Sequence, residues 1–214
     1  MPPEPPAGVP ALPGPDGVLR CPWGASGPED YRAYHDEEWG RPVHGEAALF
    51  ERLVLEGFQS GLSWLTVLRK RPAFRAAFAG FDPEAVAAFG EADEARLLAD
   101  AGIVRNRAKV RATITNARAV LALRESAPGG LEGLLDAVLA EHPPSGDVPV
   151  TTADVPARTS TSTALAKALA RAGLTFVGPV TAQSLLEATG RVDDHLAGCA
   201  FRGAAAQAAT RPVP

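Results

Sequence analysis

The chain has 214 residues, is 46% hydrophobic and carries a formal net charge of −4, enough apolar content for one domain or for two small lobes sharing a cleft. No apolar run approaches the ~20 residues that cross a bilayer, and the first residues lack the basic-then-apolar order of a signal peptide, so a soluble, cytoplasmic protein with no membrane partner is expected. The acidic balance argues against a protein that coats nucleic acid through bulk electrostatics, while leaving room for a local basic face.

In chain order, residues 1–19 hold seven prolines and three glycines without apolar periodicity and read as a disordered, proline-rich arm. The tail, residues 204–214, is equally unable to bury a core, so the folded body is expected to be residues 20–203, with one Cys and one His near each end. Residues 46–55 place Ala47, Phe50, Leu53 and Val54 on one helical face. Asp82 suits an N-cap before a helix over 83–89, with Pro83 at its first position. A helix over 92–101 stops at Gly102, and residues 107–123 repeat Val110, Ile114, Ala117, Val120 and Leu121 at helical spacing. Helices over 131–140, 162–172 and 181–189 follow the same rule. Residues 141–158 form a long loop rich in proline and glycine, and no alternating strand pattern stands out. The fold class predicted is all-α.

Two cysteines 178 positions apart make a poor disulfide framework in a reducing cytoplasm, which leaves metal binding, catalysis or burial. If residues 193–199 are helical, His195 and Cys199 stand at i and i+4 and present a nitrogen and a sulfur to one point. Cys21 must supply the second sulfur of a tetrahedral zinc site. Of the remaining histidines, His35 lies in the aromatic stretch YRAYHDEEWG, while His44 and His142 lie beside glycine or proline, so His35 is favoured. The alternative is a buried Cys and a helix-surface His that coincide by chance. Four protein ligands would close the site to water and make the zinc structural, with on the order of 10 kcal/mol of binding energy to tie the ends of the domain together.

Six stretches together resemble the 3-methyladenine DNA glycosylase I family: RCPWG (20–24), YRAYHDEEWGRPV (31–43), LFERLVLEGFQSGLSWLTVLRKR (49–71), FDPEAVA (81–87), AGIVRNRAKVRATITNARA (101–119), and the run from TSTSTALAKALARAGLTFVG to GRVDDHLAGC (159–199). The resemblance implies an all-α, helix-hairpin-helix glycosylase fold with a bound structural Zn2+ held by Cys21, His35, His195 and Cys199. It implies a monofunctional enzyme that flips 3-methyladenine out of alkylated double-stranded DNA and cuts its glycosidic bond. The arm and tail lie outside the likeness, and nothing in the sequence signals an oligomer, so a monomer is expected.

By the same resemblance, Tyr34 and Trp64 are the walls on which the base stacks, Tyr31 stands at the pocket's edge, and Glu56 is the catalytic carboxylate set against the base. Val54, Leu55, Gly57 and Phe58 around Glu56 are apolar, so the carboxyl is expected to be buried and to need a partner such as a cationic base. Gln59, Gly61 and Leu62 belong to the turn that enters the space left by the flipped nucleotide; a core leucine is the alternative at Leu62. The run RAGLTFVGPVTAQSLL (171–186) resembles the hairpin, with Gly173, Gly178 and Thr181 at a phosphate and Pro179 opening a helix whose free N–H groups face it. Arg105, Arg107, Lys109, Arg111 and Arg118 form a second candidate DNA surface, or else a solvated helix face. Asp193, Phe58 and Gln183 depart from the Asn, Gln and Tyr usual in the family, so pocket selectivity can differ. A zinc-stabilised protein that binds damaged DNA without cleaving it is the competing function.

Overall fold

A computed structural model describes residues 8–203. The chain is mostly helical: α1 (Pro22–Ser26), α2 (Glu29–Glu37), α3 (Glu46–Gln59), α4 (Trp64–Ala77), α5 (Pro83–Ala87), α6 (Glu91–Ala99), α7 (Arg107–Ser126), α8 (Gly130–Glu141), α9 (Ser160–Arg171) and α10 (Pro179–Ala188). Two very short strands, β1 (Leu12–Pro13) and β2 (Leu19–Arg20), pair antiparallel ahead of them. None of the described helices is long and apolar enough to cross a membrane.

By density of contacts the chain divides into two compact units. The first comprises the residues up to Val43, Pro144–Ala157 and those from Leu186 on; the second comprises His44–Pro143 and Arg158–Leu185.

In the second unit the helices form where apolar spacing and end signals agree. Asp82 caps α5 by accepting from the Glu84 N–H at 3.0 Å, as its position ahead of Pro83 predicts. Asn106 caps α7 through the Lys109 N–H at 3.2 Å, and Thr159 caps α9 through the Ser162 N–H at 3.0 Å. Phe50, Phe58, Phe74, Phe78 and Phe81 are fully buried in the core, with Phe58 and Phe74 ring centroids 4.7 Å apart. Along α7, Val110, Ala117 and Val120 are wholly buried, which is the face the sequence spacing assigns. Helix α4 has no counterpart in the periodic pattern because Pro72 interrupts it; the helix runs through this proline and is opened by a Ser63 cap that accepts from the Thr66 N–H.

The first unit corrects the expectation for the proline-rich arm. Residues 1–7 lie outside the described residues, but from Gly8 on the chain is fastened down. Val9 exchanges two hydrogen bonds with Thr152, Ala11 packs on the Cys21–Leu196–Cys199 cluster, and Leu12 pairs with Arg20. Proline at a strand without a second neighbour costs no ladder bond, which is why composition alone misjudges the segment. The expected tail, residues 204–214, also lies outside the described residues. A second correction concerns residues 193–199, which are not helical. Asp193 accepts from the His195 N–H at 3.1 Å, and the Cys199 N–H bonds the Leu196 carbonyl at 2.8 Å, so the segment is two successive turns.

Candidate functional site

Although residues 193–199 are not a helix, the first unit gathers the residues expected to supply the sulfur and nitrogen ligands. The ligand atoms of Cys21, His35 and Cys199 all lie within 4.8 Å of one another, and all three residues are buried. His195 is 2% exposed, and its ring centroid is 5.0 Å from that of His35. Cys21 sits at the N-cap of α1 and His35 in the last turn of α2, so two short helices deliver one half of the cluster and the 193–199 turns deliver the other.

Each imidazole is oriented by a carboxylate. His35 Nδ1 is 2.7 Å from Asp36 Oδ1, and His195 Nδ1 is 2.9 Å from Asp193 Oδ1. With Nδ1 donating, Nε2 of each ring keeps its lone pair. His195 Nε2 is buried and has no hydrogen-bond partner among the described residues, and His35 Nε2 is 3.6 Å from Cys199 Sγ. The Cys199 thiol is pulled down, first by the hydrogen bond from Cys21 and then by His35, against the effect of burial. That hydrogen bond, with burial, pushes Cys21 up. Trp23 and Trp39 close over the group, with Trp23 4.8 Å from the His35 ring and Trp39 4.4 Å from the His195 ring.

Asp193 does more than orient one ring. Its second oxygen accepts from the Gly203 N–H at 2.8 Å, and burial notwithstanding, the His195 bonds hold its carboxyl down at about 2. Arg202 donates to the carbonyls of Asp193 and His195. On the other side Arg20, almost fully buried, joins Asp36 to Asp16 through bonds of 2.7–3.0 Å.

Tyr31 and Tyr34 lie in this same aromatic cluster, their ring centroids 4.8 and 6.3 Å from Trp23. Tyr34 is 3% exposed. The remaining expected base-binding residues belong to the second unit. Glu56 sits one turn from the end of α3, Trp64 opens α4, and residues 60–63 connect the two helices.

Glu56 is 5% exposed, and its carboxylate accepts no hydrogen bond from any described residue. Burial pushes it up to about 8, offset only in part by the positive charge of Arg52 one helical turn away. This is a carboxyl kept neutral in the resting protein and able to ionise beside a cation.

Downstream, the α3–α4 turn points outward. Gly61 has φ +79°, a left-handed conformation that glycine adopts without strain, and a Cβ there would meet nothing within 4 Å. Leu62 is 41% exposed, which sets aside the core reading of this leucine. Gln59, at the last position of α3, accepts the Leu62 N–H on its carbonyl at 2.7 Å and so tightens the turn.

The α9–α10 connection, residues 172–178, carries the expected phosphate residues. Gly173 ends α9 with φ +89°, and Gly178 precedes Pro179 at the start of α10. Gly178 faces open space, and Thr181 lies in the first turn of α10, where helix N–H groups lack partners from the helix itself.

The second candidate DNA surface fares worse. Arg107 and Arg111 are paired with Glu94 at 2.7 and 2.8 Å, and Arg118 donates to the Ala87 and Phe89 carbonyls. Lys109 is buried and bonded to the Phe58 and Ser60 carbonyls. Only Arg105 of the five has no partner among the described residues, so the run is not a continuous basic face. Distant acids that no local reading reveals, chiefly Glu94, neutralise it. Sequence reasoning misses instead a groove of about 690 Å³ lined by His142, Arg158, Lys167 and Arg171. These three Lys and Arg side chains make no salt bridge with a described residue, and their separation along the chain hides them.

A family model described as methyladenine glycosylase matches residues 23–203. The chain belongs to the methyladenine glycosylase family. DNA-3-methyladenine glycosylase 1 of Escherichia coli is 46% identical over 182 residues, covering 84% of this chain and 95% of that protein. DNA-3-methyladenine glycosylase of Haemophilus influenzae is 40% identical, covering 85% of this chain and 97% of that protein. Among solved structures, a 3-methyladenine DNA glycosylase I superposes with a TM-score of 0.79 at 43% identity, covering 86% of this chain and 99% of the other. The Staphylococcus aureus enzyme, described in terms of 3-methyladenine recognition, superposes with a TM-score of 0.78 at 36% identity, covering 86% and 96%.

Two departures of this methyladenine glycosylase from the expected family pattern have structural roles. Phe58 is 1% exposed and packs on Phe74 and Phe78, so it belongs to the core beneath α3. Gln183 is buried and accepts from Thr159 Oγ1 at 2.9 Å, joining α10 to the cap of α9.

Proposed function

We propose that the chain flips 3-methyladenine out of alkylated double-stranded DNA and hydrolyses its glycosidic bond, leaving an abasic site, with the helix-hairpin-helix arrangement at residues 160–188 gripping the backbone. The observation that carries this reading is Glu56: a buried carboxyl with no hydrogen-bond partner among the described residues, held neutral up to about pH 8 by burial. A neutral adenine offers it no charge to pair with. An adenine methylated at N3 carries a positive charge, and beside that cation the carboxyl releases its proton to solvent and, as a carboxylate, accepts from the exocyclic amine. The cationic base is already a good leaving group, so recognition that favours the charged form does most of the catalytic work, and water adds to the sugar carbon as the bond loosens.

The remaining roles follow. Trp64 supplies a stacking surface worth ~1–3 kcal/mol per base, which offsets the few kcal/mol of extrusion. Tyr34, as a second stacking residue, and Tyr31, at the pocket's edge, are proposed on the family resemblance. Gln59, Gly61 and Leu62 fill the vacated space, Leu62 as the wedge. Gly173, Gly178 and Thr181 receive a phosphate at the start of α10. Arg158, Lys167 and Arg171 outnumber the one acid, Glu141, along the same groove and leave it a net positive charge, which suits a phosphate backbone.

We also propose that Cys21, His35, His195 and Cys199 hold a structural Zn2+. Three ligand atoms already converge, and the fourth residue presents a buried Nε2 with no hydrogen-bond partner among the described residues, oriented by Asp193. When bound, the ion supplies folding energy, since four protein ligands leave no position for water.

Release of free methylated adenine from methylated duplex DNA tests the function, with Glu56→Gln as comparison. Release by the parent chain and its loss in the variant are expected. Binding to damaged DNA without release by the parent would leave a zinc-stabilised damage-binding protein.

A further inference from the structure

Lys109 and Asn116 stand seven residues apart on α7, close to two full turns, so they share one face about 10 Å apart along the helix. Both are nearly fully buried, at 7% and 4% exposed, and neither contributes to the apolar core. Lys109 Nζ donates to the Phe58 carbonyl at 2.8 Å and to the Ser60 carbonyl at 2.6 Å. These are carbonyls at the C-terminal end of α3, which lack partners within the helix and carry its partial negative charge. The ammonium therefore secures the point where α3 leaves for the turn that carries Gly61 and Leu62.

Asn116 treats the other loop in the same manner. Its Oδ1 accepts from the Thr175 N–H at 2.7 Å, and its Nδ2 donates to the Thr175 carbonyl at 3.0 Å. One side chain thus satisfies both backbone groups of a loop residue. The next residue, Phe176, holds φ +62°, a conformation that costs a non-glycine residue of order 1 kcal/mol or more and persists only where its surroundings enforce it. Phe176 is 46% exposed, so no core contact of its side chain accounts for the strain.

We propose that Lys109 and Asn116 are positioning residues that register the 59–63 turn and the 172–178 connection against each other on α7, so that wedge and phosphate grip keep one spacing. The proposal rests on the glycosylase reading above. A wedge enters a base stack only if the phosphate grip and the wedge are correctly spaced. On single-stranded DNA there is no paired stack to enter, so the spacing matters far less. Both side chains are engaged with backbone groups of the two loops and act through the loops they hold.

The test measures excision of 3-methyladenine from methylated duplex and methylated single-stranded DNA by the full chain, together with binding of free 3-methyladenine and thermal melting. Misplacement of a positioning element by about 1 Å can cost up to 100-fold, so Lys109→Gln, which can reach one carbonyl instead of two, is expected to lower the duplex-to-single-strand excision ratio by about 10- to 100-fold. Lys109→Arg, whose guanidinium can bridge two carbonyls, should restore most of the ratio. Asn116→Asp keeps the acceptor for the Thr175 N–H, removes the donor to its carbonyl, and should lower the ratio in the same direction. If Lys109→Gln does not fold, Asn116→Asp decides the matter alone. A parental ratio in folded variants, or equal losses on both substrates, overturns the proposal. No excision by the parent chain on either substrate overturns the glycosylase reading instead.

Discussion

Replacing Glu56 by Gln should make the protein more stable while disabling it. In the folded chain burial raises the Glu56 carboxyl from 4.5 to about 8, so the native state holds this proton more tightly than the unfolded state. Stability linked to the group is therefore fully present below pH 4.5 and is lost as pH rises toward 8. The difference between the two values corresponds to a ceiling of about 5 kcal/mol, reached above pH 8. An amide of the same shape does not titrate and escapes this loss. Urea unfolding of parent and variant from pH 4 to 9 should give curves that agree near pH 4 and separate steadily above it. With about 2–4 °C per kcal/mol for a domain of this size, Glu56→Gln should melt at most about 10–20 °C above the parent at pH 8.5. Excision should fall in the same variant, because a neutral amide cannot complement a cationic base. Parallel pH–stability curves for the two proteins would mean that Glu56 is solvated and titrates normally, and the account of charge selection at this site would collapse with it.

Cys199→Ser should lose zinc by elemental analysis and melt at lower temperature, whereas unchanged zinc content would refute the ligand set. Phe58→Ala removes a fully buried ring from the Phe74–Phe78 stack and should cost about 3–5 kcal/mol in denaturant unfolding, while leaving the relative excision of 3-methyladenine and 3-methylguanine unaltered. Changed selectivity would put Phe58 in the pocket after all. Charge reversal at both Lys167 and Arg171 should weaken DNA binding without regard to sequence and reduce the salt slope by about 0.9 for each phosphate no longer engaged; an unaltered slope would take the groove out of the DNA interface.

What can be read from the sequence is what local periodicity and end chemistry determine. Asp82 ahead of Pro83 marks the start of α5, and the spacing of Val110, Ala117 and Val120 marks the buried face of α7. Neither depends on distant residues. The misreadings share the opposite property. Spacing would set His195 and Cys199 on one face if residues 193–199 were helical, yet the side chain of Asp193 accepts from the His195 N–H in a turn, and both residues still reach the cluster. The same residues thus converge from a different geometry, since residue type constrains the set more tightly than conformation does. Residues 8–13 look unstructured because their partners, Thr152 and Arg20, lie outside any local window. The basic run on α7 looks available because Glu94, its neutralising partner, belongs to another helix. Lys109 shows the same limit in reverse: counted among surface charges, it is buried against the backbone of residues 58–60.

Arg20 has a consequence for where this protein can be cut. Likeness to the family model begins at residue 23, and a fragment trimmed to that boundary would retain Cys199, His35 and His195 but lose Cys21. It would also lose the guanidinium that holds Asp36, which in turn aims the His35 ring. A boundary placed at residue 20 keeps the sulfur and the guanidinium but removes Asp16, whose carboxylate shares that guanidinium with Asp36. The shortest fragment that keeps the four proposed zinc ligands and these supports starts at residue 16, inside the proline-rich stretch that composition alone would discard.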